Sequence, residues 1–187
     1  MSAPIEAGQL QTYVLQAFQA QPMLVNVGSL NNDVTLSLKT QGGTTMLGAA
    51  AAQTNWQGTL PQSEDYYLAL HGGATTENFT LTITIPSRIK FEPGADSTKV
   101  TGKTVAGYSV SYTAFAIKGQ KMSVQLANLS GTAALTIYGF ADGQPYVRSV
   151  SGQTSFAFTL PATQDYVIEV VPKMGKEVSY QMTVRIQ

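Results

Sequence analysis

The chain repeats itself along its length. "TLPQSEDYYLAL" at residues 59–70 returns as "TLPATQDYVIEV" at residues 159–170, and the rest of the two halves aligns at offsets of 99 to 101 residues. A repeat of this length is too long for a solenoid and is typical of two tandem domains of ordinary small size. We therefore predict two domains, residues 1–87 and 88–187.

Within each copy, apolar residues alternate with polar ones. Val34, Leu36 and Leu38 form one such run in the first copy, and Leu135 and Ile137 form the matching run in the second. A period of two is typical of strands with one buried face. Glycine-rich and Asn-rich turn signals separate these short runs. The pattern predicts an all-β chain of two tandem antiparallel β-sandwich domains, jelly-roll-like in plan.

The repeated Thr-Leu-Pro and Asp-Tyr pair predict a corner between two strands rather than a site of chemistry. Proline cannot donate to a strand ladder, so pairing should stop there. The aspartate can accept hydrogen bonds from the turn's amides. The tyrosine should point inward and bond its hydroxyl back to a nearby loop, as in a tyrosine corner. The corner residues are Pro61, Asp65 and Tyr66 in the first copy and Pro161, Asp165 and Tyr166 in the second.

The two copies differ at their starts. "RIKFEPGADSTKVTG" at residues 88–102 precedes the second copy, whereas only seven residues precede Gly8 in the first. We therefore expect the first domain to lack its opening strand. A sheet edge left open in this way invites strand addition from another chain.

The neutral chain also divides into two halves of opposite charge. Residues 1–87 carry one base against five acids, a net of −4, and residues 88–187 carry ten bases against six acids, a net of +4. Drift between two copies of a module accounts for this difference. The alternative is that the two halves carry complementary surfaces that meet head to tail, a contact that can build a filament.

The residues for catalysis or metal binding are sparse. The chain has no cysteine, and its one histidine, His71, is replaced by Val171 in the second copy. No nucleophile motif, phosphate-binding loop or carboxylate cluster accompanies that histidine. The net charge of the basic half is mild for a nucleic-acid partner. No apolar run reaches the length of a membrane span, and the first residues do not resemble a signal peptide. We predict no enzyme activity, no catalytic, cofactor-binding or metal-binding residue, no nucleic-acid partner and no membrane span.

Exposed aromatic side chains are the better candidates for binding. Tyr66 has a tyrosine counterpart, whereas its neighbour Tyr67 becomes Val167, so we expect Tyr67 to point outward. Several basic residues of the second copy accompany aromatic ones. The candidate interface residues are Tyr67, Trp56, Tyr146, Arg148, Lys173 and Lys176.

Several repeated motifs resemble the bacterial pre-peptidase C-terminal (PPC-like) domain family. They are "KGQKMSV" at 118–124, "ALTIYG" at 134–139, the Thr-Leu-Pro and Asp-Tyr corner, and "YQMTVRI" at 180–186. The resemblance implies a secreted or periplasmic sandwich that binds or assembles and does not catalyse. Some members bind calcium beside acidic residues at the start of a strand. In "NNDVTL" at residues 31–36, Asp33 is the one acid that matches this feature. Calcium takes about six or more oxygen ligands, so we expect no calcium here.

Residues 88–187, with "IKFEPGADSTKVTG", also resemble the periplasmic inhibitors of g-type lysozyme. That resemblance implies a charged, extended loop near the last hairpin that engages the enzyme. The corresponding loop here, "PKMGKEV" at 172–178, is short and lacks arginine.

These observations predict a non-catalytic extracellular or periplasmic module that binds a protein partner or assembles with itself. Two alternatives remain open. One is a surface-fibre subunit that uses head-to-tail contacts and strand complementation, and the other is a periplasmic lysozyme inhibitor.

Overall fold

The computed structural model describes residues 1–173 and 176–187 and divides them into two compact units, Met1–Ile85 and Pro86–Gln187. Strands dominate both units, and each also contains one short 3-10 turn, at Ala49–Ala51 and Ser149–Ser151. The predicted all-β fold is confirmed. Among the described residues, no helix has the length and apolar character needed to cross a bilayer.

The first unit is a sandwich of two four-stranded antiparallel sheets. One sheet has the order β1-β8-β3-β6 and the other β2-β7-β4-β5. The strands are β1 (Ser2–Ile5), β2 (Leu10–Ala17), β3 (Pro22–Ser29), β4 (Thr35–Thr40), β5 (Thr45–Leu47), β6 (Asn55–Thr59), β7 (Glu64–His71) and β8 (Glu77–Thr84).

The second unit repeats this plan with one addition. Its sheets have the orders β10-β17-β12-β15 and β14-β13-β16-β11-β9, and β9 pairs with β11 in parallel. The strands are β9 (Ser87–Arg88), β10 (Ser97–Lys103), β11 (Val110–Ala116), β12 (Lys121–Ser130), β13 (Ala133–Gly139), β14 (Pro145–Val147), β15 (Ser155–Thr159), β16 (Gln164–Pro172) and β17 (Ser179–Ile186).

Each unit has a core of its own between its two sheets. The alternating residues predicted to face inward do so: Val34, Leu36 and Leu38 are fully buried, as are Leu135 and Ile137. Burying one such side chain contributes about 1.5–3 kcal/mol. The period-two pattern therefore predicts the packing of both sandwiches correctly.

The two corners share the backbone hydrogen bond of the leucine and the hydroxyl hydrogen bond of the tyrosine. In the first, Leu60 N–H donates to Gln21 O (2.9 Å), after which Pro61 ends the pairing. Tyr66 is fully buried, and its hydroxyl donates to Gln62 O at 2.7 Å. Strand β6 ends at Thr59, two residues before Pro61.

The second unit repeats each of these contacts. Leu160 N–H donates to Gln120 O (2.8 Å), and the buried Tyr166 donates to Ala162 O at 2.7 Å. The side chain of Gln120 accepts from Ile117 N–H, as that of Gln21 accepts from Phe18 N–H. The Thr-Leu-Pro and Asp-Tyr motif occurs twice because each unit contains this corner.

Two details expected from the sequence are wrong. The first unit does have an opening strand, because β1 pairs with β8 as β10 pairs with β17. It is shorter, with four residues against seven, and β9 has no counterpart in the described first unit. Asp165 does not cap its turn; its carboxylate accepts both hydrogen bonds from the Arg88 guanidinium instead.

Three non-glycine residues of the first unit adopt the left-handed backbone region that favours glycine. Ala20 has a φ of 64° and Ala52 a φ of 49°. A side chain in this region costs about 1–2 kcal/mol. All three positions are glycine in the second unit. The pairs are Ala20 with Gly119, Asn32 with Gly131, and Ala52 with Gly152.

Candidate functional site

The outer face of the sheet that contains β2 exposes several large apolar side chains. We call it the β2 face. The core side of this sheet presents Tyr66, Leu68 and Leu70, all fully buried, so the intervening residues point away from the core. The β2 face consists of Leu10, Thr12 and Val14 on β2, Tyr67, Ala69 and His71 on β7, and Ser37 and Lys39 on β4.

Large apolar side chains on the β2 face remain open to solvent. Leu10 is 58% exposed, Val14 is 56% exposed and Tyr67 is 38% exposed. Val14 on β2 lies directly opposite Tyr67 on β7, and Lys39 on β4 lies opposite Tyr67 on its other side. Exposed apolar side chains beside charged and polar groups are typical of an interaction surface. Tyr67 therefore points outward, as expected from the sequence.

A cleft of about 480 Å³ indents the β2 face, and His71 lies in its wall. Ser37 is almost fully buried there, and its Oγ lies 2.9 Å from His71 Nε2. The two residues are 34 positions apart, and no motif marks Ser37 in the sequence.

This serine–histidine contact lacks the third member of a hydrolytic triad. A triad needs a carboxylate on the second ring nitrogen to hold the tautomer. No hydrogen bond joins His71 to a carboxylate in the part of the chain that the structure describes. The contact satisfies a buried hydroxyl and fixes the ring, which suits a binding surface.

The corresponding face of the second unit has different chemistry. Glu169 takes the place of Ala69, and its Oε1 accepts weakly from Tyr138 (3.4 Å) and Ser111 (3.5 Å). Burial raises the pKa of Glu169 above its ordinary value. Thr113, the counterpart of Val14, is fully buried. The second copy instead exposes Phe115, which is 55% exposed on the same face of β11, so the two copies place their exposed apolar side chains at different positions.

The other predicted interface residues divide between the units and have different surroundings. Trp56 packs partly buried against the first core. Tyr146 packs against the second core, with its ring centroid 4.6 Å from that of Phe158. Burial raises the pKa of Tyr146 to about 12. Neither ring is the freely exposed aromatic that the sequence suggested.

The basic candidates of the second unit are exposed. Arg148 precedes the 3-10 turn Ser149–Ser151, and Lys173 lines an apolar cleft beside the exposed Val150. Lys176 is also exposed, whereas residues 174–175 of the same loop lie outside the described residues. Nearby, Glu177 forms an exposed ion pair with Lys103.

Asp33, the residue that matches the calcium-associated motif of the PPC-like family, lies beside Glu77. A hydrogen bond with the Glu77 side chain is the main cause that lowers the pKa of Asp33, and Ala74 N–H also donates to Asp33 Oδ2. Among residues 1–173 and 176–187, no cluster of three or more His, Asp or Glu could hold a metal ion. The expectation that calcium does not bind stays a prediction.

The edges of the matching sheets differ as well. In the second unit, β9 covers the edge of β11, and Ile89 N–H donates to Thr113 O at 2.8 Å. In the first unit, β2 is the last strand of its sheet. The β2 face therefore borders an open sheet edge, which presents unpaired backbone groups for another strand.

Comparisons with known proteins find similar solved structures. No family model matches the chain. No curated protein matches it either. The chain is similar to a periplasmic lysozyme inhibitor of g-type lysozyme from Aeromonas hydrophila, with 26% identity, a TM-score of 0.46, and coverage of 55% of this chain and 96% of the inhibitor. It is similar to the inhibitor from Salmonella Typhimurium with 23% identity, a TM-score of 0.44, and coverage of 56% and 100%. Similarity at these TM-scores does not establish a function for this chain, and membership of the PPC-like family stays a prediction.

Proposed function

We propose that the chain is a non-catalytic, extracellular or periplasmic module that binds a protein partner through the β2 face. The observation that carries the proposal is the exposed trio of Leu10, Val14 and Tyr67 around a polar centre. Protein interfaces combine apolar anchors, tyrosine among them, with a polar rim. Lys39 and His71 supply polar groups within the same face.

The second copy provides an internal comparison that supports this assignment. Both units bury apolar side chains at matching inward-facing positions, such as Leu68 and Ile168. They differ on the outer face, where Val14 and Tyr67 are exposed while their counterparts Thr113 and Val167 are fully buried. The second copy exposes Phe115 at a different position of this face, so the pair of Val14 and Tyr67 is particular to the first unit and is the surface that a partner would cover.

Site-specific photo-cross-linking tests the proposal. A photoreactive residue at position 14 should capture one protein in an extract of the producing cells' periplasm or culture medium. The same residue at Thr82, which is exposed on β8 of the other sheet, is the matched control and should capture nothing in common. Equal capture at both positions would contradict the proposal.

Inhibition of g-type lysozyme is a second candidate. Its support is the sequence resemblance of residues 88–187 to such inhibitors, together with exposed Lys173 and Lys176 near the last hairpin. A turbidity assay with purified g-type lysozyme tests it. Inhibition that falls when both lysines become glutamate would support this candidate. Full lysozyme activity at micromolar concentrations of this chain would remove it.

Self-assembly into a fibre rests on the charges of −4 and +4 in the two halves. Attraction between opposite charges strengthens as salt is removed. Sedimentation velocity at low ionic strength should then show large species that dissolve on addition of salt. A monomer under both conditions would exclude this form of assembly.

A further inference from the structure

The second unit shows what a strand added to this sheet edge looks like. Ser87 and Arg88 of β9 pair in parallel with Tyr112 and Thr113 of β11. The next residue, Ile89, donates its N–H to Thr113 O at 2.8 Å. Three consecutive residues thus cover the edge of the sheet with backbone hydrogen bonds.

The side chains of this short segment anchor it in two ways. Both terminal nitrogens of Arg88 donate to the Asp165 carboxylate, at 2.7 Å and 2.8 Å. This two-point geometry is the strong form of an arginine–carboxylate contact. Ile89 is only 6% exposed and belongs to the core of the second unit. The segment therefore supplies one charge and one apolar side chain.

The first unit has the receiving half of this arrangement. Asp65 occupies the position of Asp165, and among the described residues it forms no ion pair. Tyr13 and Leu15 occupy the positions of Tyr112 and Ala114, and they are only partly buried. The edge of β2 that would receive a strand is free in the described structure.

We propose that the free edge of β2 binds an extended segment of another protein that carries an arginine followed by an aliphatic residue. The segment adds in parallel to β2, its arginine pairs with Asp65, and its aliphatic side chain packs beside Tyr13 and Leu15. This inference rests on the proposed function and specifies the chemistry of the partner.

Exchange of β9 between two copies of this chain is the less favourable occupant. A copy that donates β9 to a neighbour's β2 uncovers its own β11, so one edge opens for each edge that closes. The ion pair of Arg88 with Asp165 is lost when the one with Asp65 forms. A segment from a different protein has no such cost, and the net charge of −4 in the first half attracts a basic one.

A peptide titration followed by NMR tests the proposal on the full chain. The probe is the hexapeptide of residues 86–91, PSRIKF, added to isotope-labelled protein up to millimolar concentration. Backbone signals of Tyr13, Val14 and Leu15 should shift, together with that of Asp65. The peptide with Arg88→Ala should bind at least about tenfold more weakly, since a hydrogen-bonded charge pair is lost.

Variants of the chain test whether Asp65 receives the arginine of the peptide. Asp65→Asn should weaken the peptide by a similar factor, whereas Glu64→Gln, one residue earlier on the same strand, should leave its affinity within about twofold. The amide spectrum of each variant shows directly whether it is folded. A peptide with Ile89→Ala that binds as well as the original would overturn the apolar part of the proposal, since Leu15 would then already fill that space.

Two results would overturn the proposal as a whole. One is the absence of shifts on β2 at millimolar peptide. The other is shifts confined to β11, which would mean that the peptide replaces β9 of the second unit. If either occurs while cross-linking at position 14 still captures a specific partner, the proposed function stands and only this inference fails.

Discussion

Replacing Tyr166 with phenylalanine isolates the energetic contribution of the repeated corner. The ring stays in place, because phenylalanine keeps the packing of this fully buried side chain. The lost contact is the hydroxyl's hydrogen bond to Ala162 O, at 2.7 Å. Its loss costs about 1 kcal/mol, and up to about 2 kcal/mol where the carbonyl finds no water. For a domain of this size, about 1 kcal/mol lowers the Tm by roughly 4–8 °C.

Differential scanning calorimetry of the full chain measures this effect, with chemical denaturation as a second probe. Tyr66→Phe should lower the stability of the first unit by a similar amount, because its hydroxyl lies at the same 2.7 Å from Gln62 O. Tyr108→Phe, at a side chain 72% exposed, is the control and should change nothing. Unchanged stability in both corner variants, or lost partner binding without lost stability, would refute the structural role of the corner.

Four further substitutions probe the backbone, the core and a buried carboxyl group. Ala20→Gly should raise the free energy of unfolding by about 0.5–1 kcal/mol, since it removes a side chain from a left-handed backbone position. Gly119→Ala, at the matching position, should lower the free energy of unfolding. Urea denaturation in which both substitutions change this free energy by the same amount and in the same direction would contradict this. Ile89→Ala should destabilise the second unit by about 2–4 kcal/mol, because it leaves a cavity in the core. Val105→Ala, at an exposed side chain, is the control; a loss of stability from Ile89→Ala that is smaller than the loss from Val105→Ala would be inconsistent with the burial of Ile89. Burial raises the pKa of Glu169. Between the ordinary value of 4.5 and this raised pKa, the folded chain holds a proton that the unfolded chain has lost, so stability falls as pH rises through this window. Glu169→Gln should therefore raise stability at neutral pH, where the buried carboxylate is charged, and should reduce this slope; a steeper slope would show the sign to be wrong.

Much of the fold follows from local pattern in the sequence. Alternation places Leu36 and Leu38 in the core, and the duplication predicts that Leu135 and Ile137 do the same. Strand β1 could not be predicted in this way, because "SAPI" is only four residues long and contains a proline. Its place comes from pairing with β8, where Ser2 lies opposite Thr80, 78 positions later along the chain.

The candidate site was harder to predict, because its contacts depend on register. Tyr67 points outward by comparison with Val167, but β2 carries apolar residues on both faces. Val14 alternates with Leu15, so period alone cannot say which of the two is exposed. The contact of Ser37 with His71 requires the register of β4 on β7, which no turn or motif specifies.

The same limit applies to charges. Asp165 was predicted to bind its own turn, because local hydrogen bonds are the ones that a sequence can suggest. Its actual partner, Arg88, lies 77 positions earlier on the parallel strand β9. Trp56 and Tyr146 stay predicted interface residues, but their partial burial against core residues from other strands could not be predicted from local pattern.

The affinity of the partner captured at position 14 is the most direct test of the proposed β2 face. Isothermal titration of the purified partner should compare the native chain with Val14→Glu and with the control Thr82→Glu, both checked for folding by calorimetry. A buried glutamate without a counter-charge is costly at an interface. We predict that Val14→Glu weakens binding by at least about tenfold and that Thr82→Glu leaves it unchanged. Equal affinities for all three chains would contradict the central claim that this module binds through the β2 face.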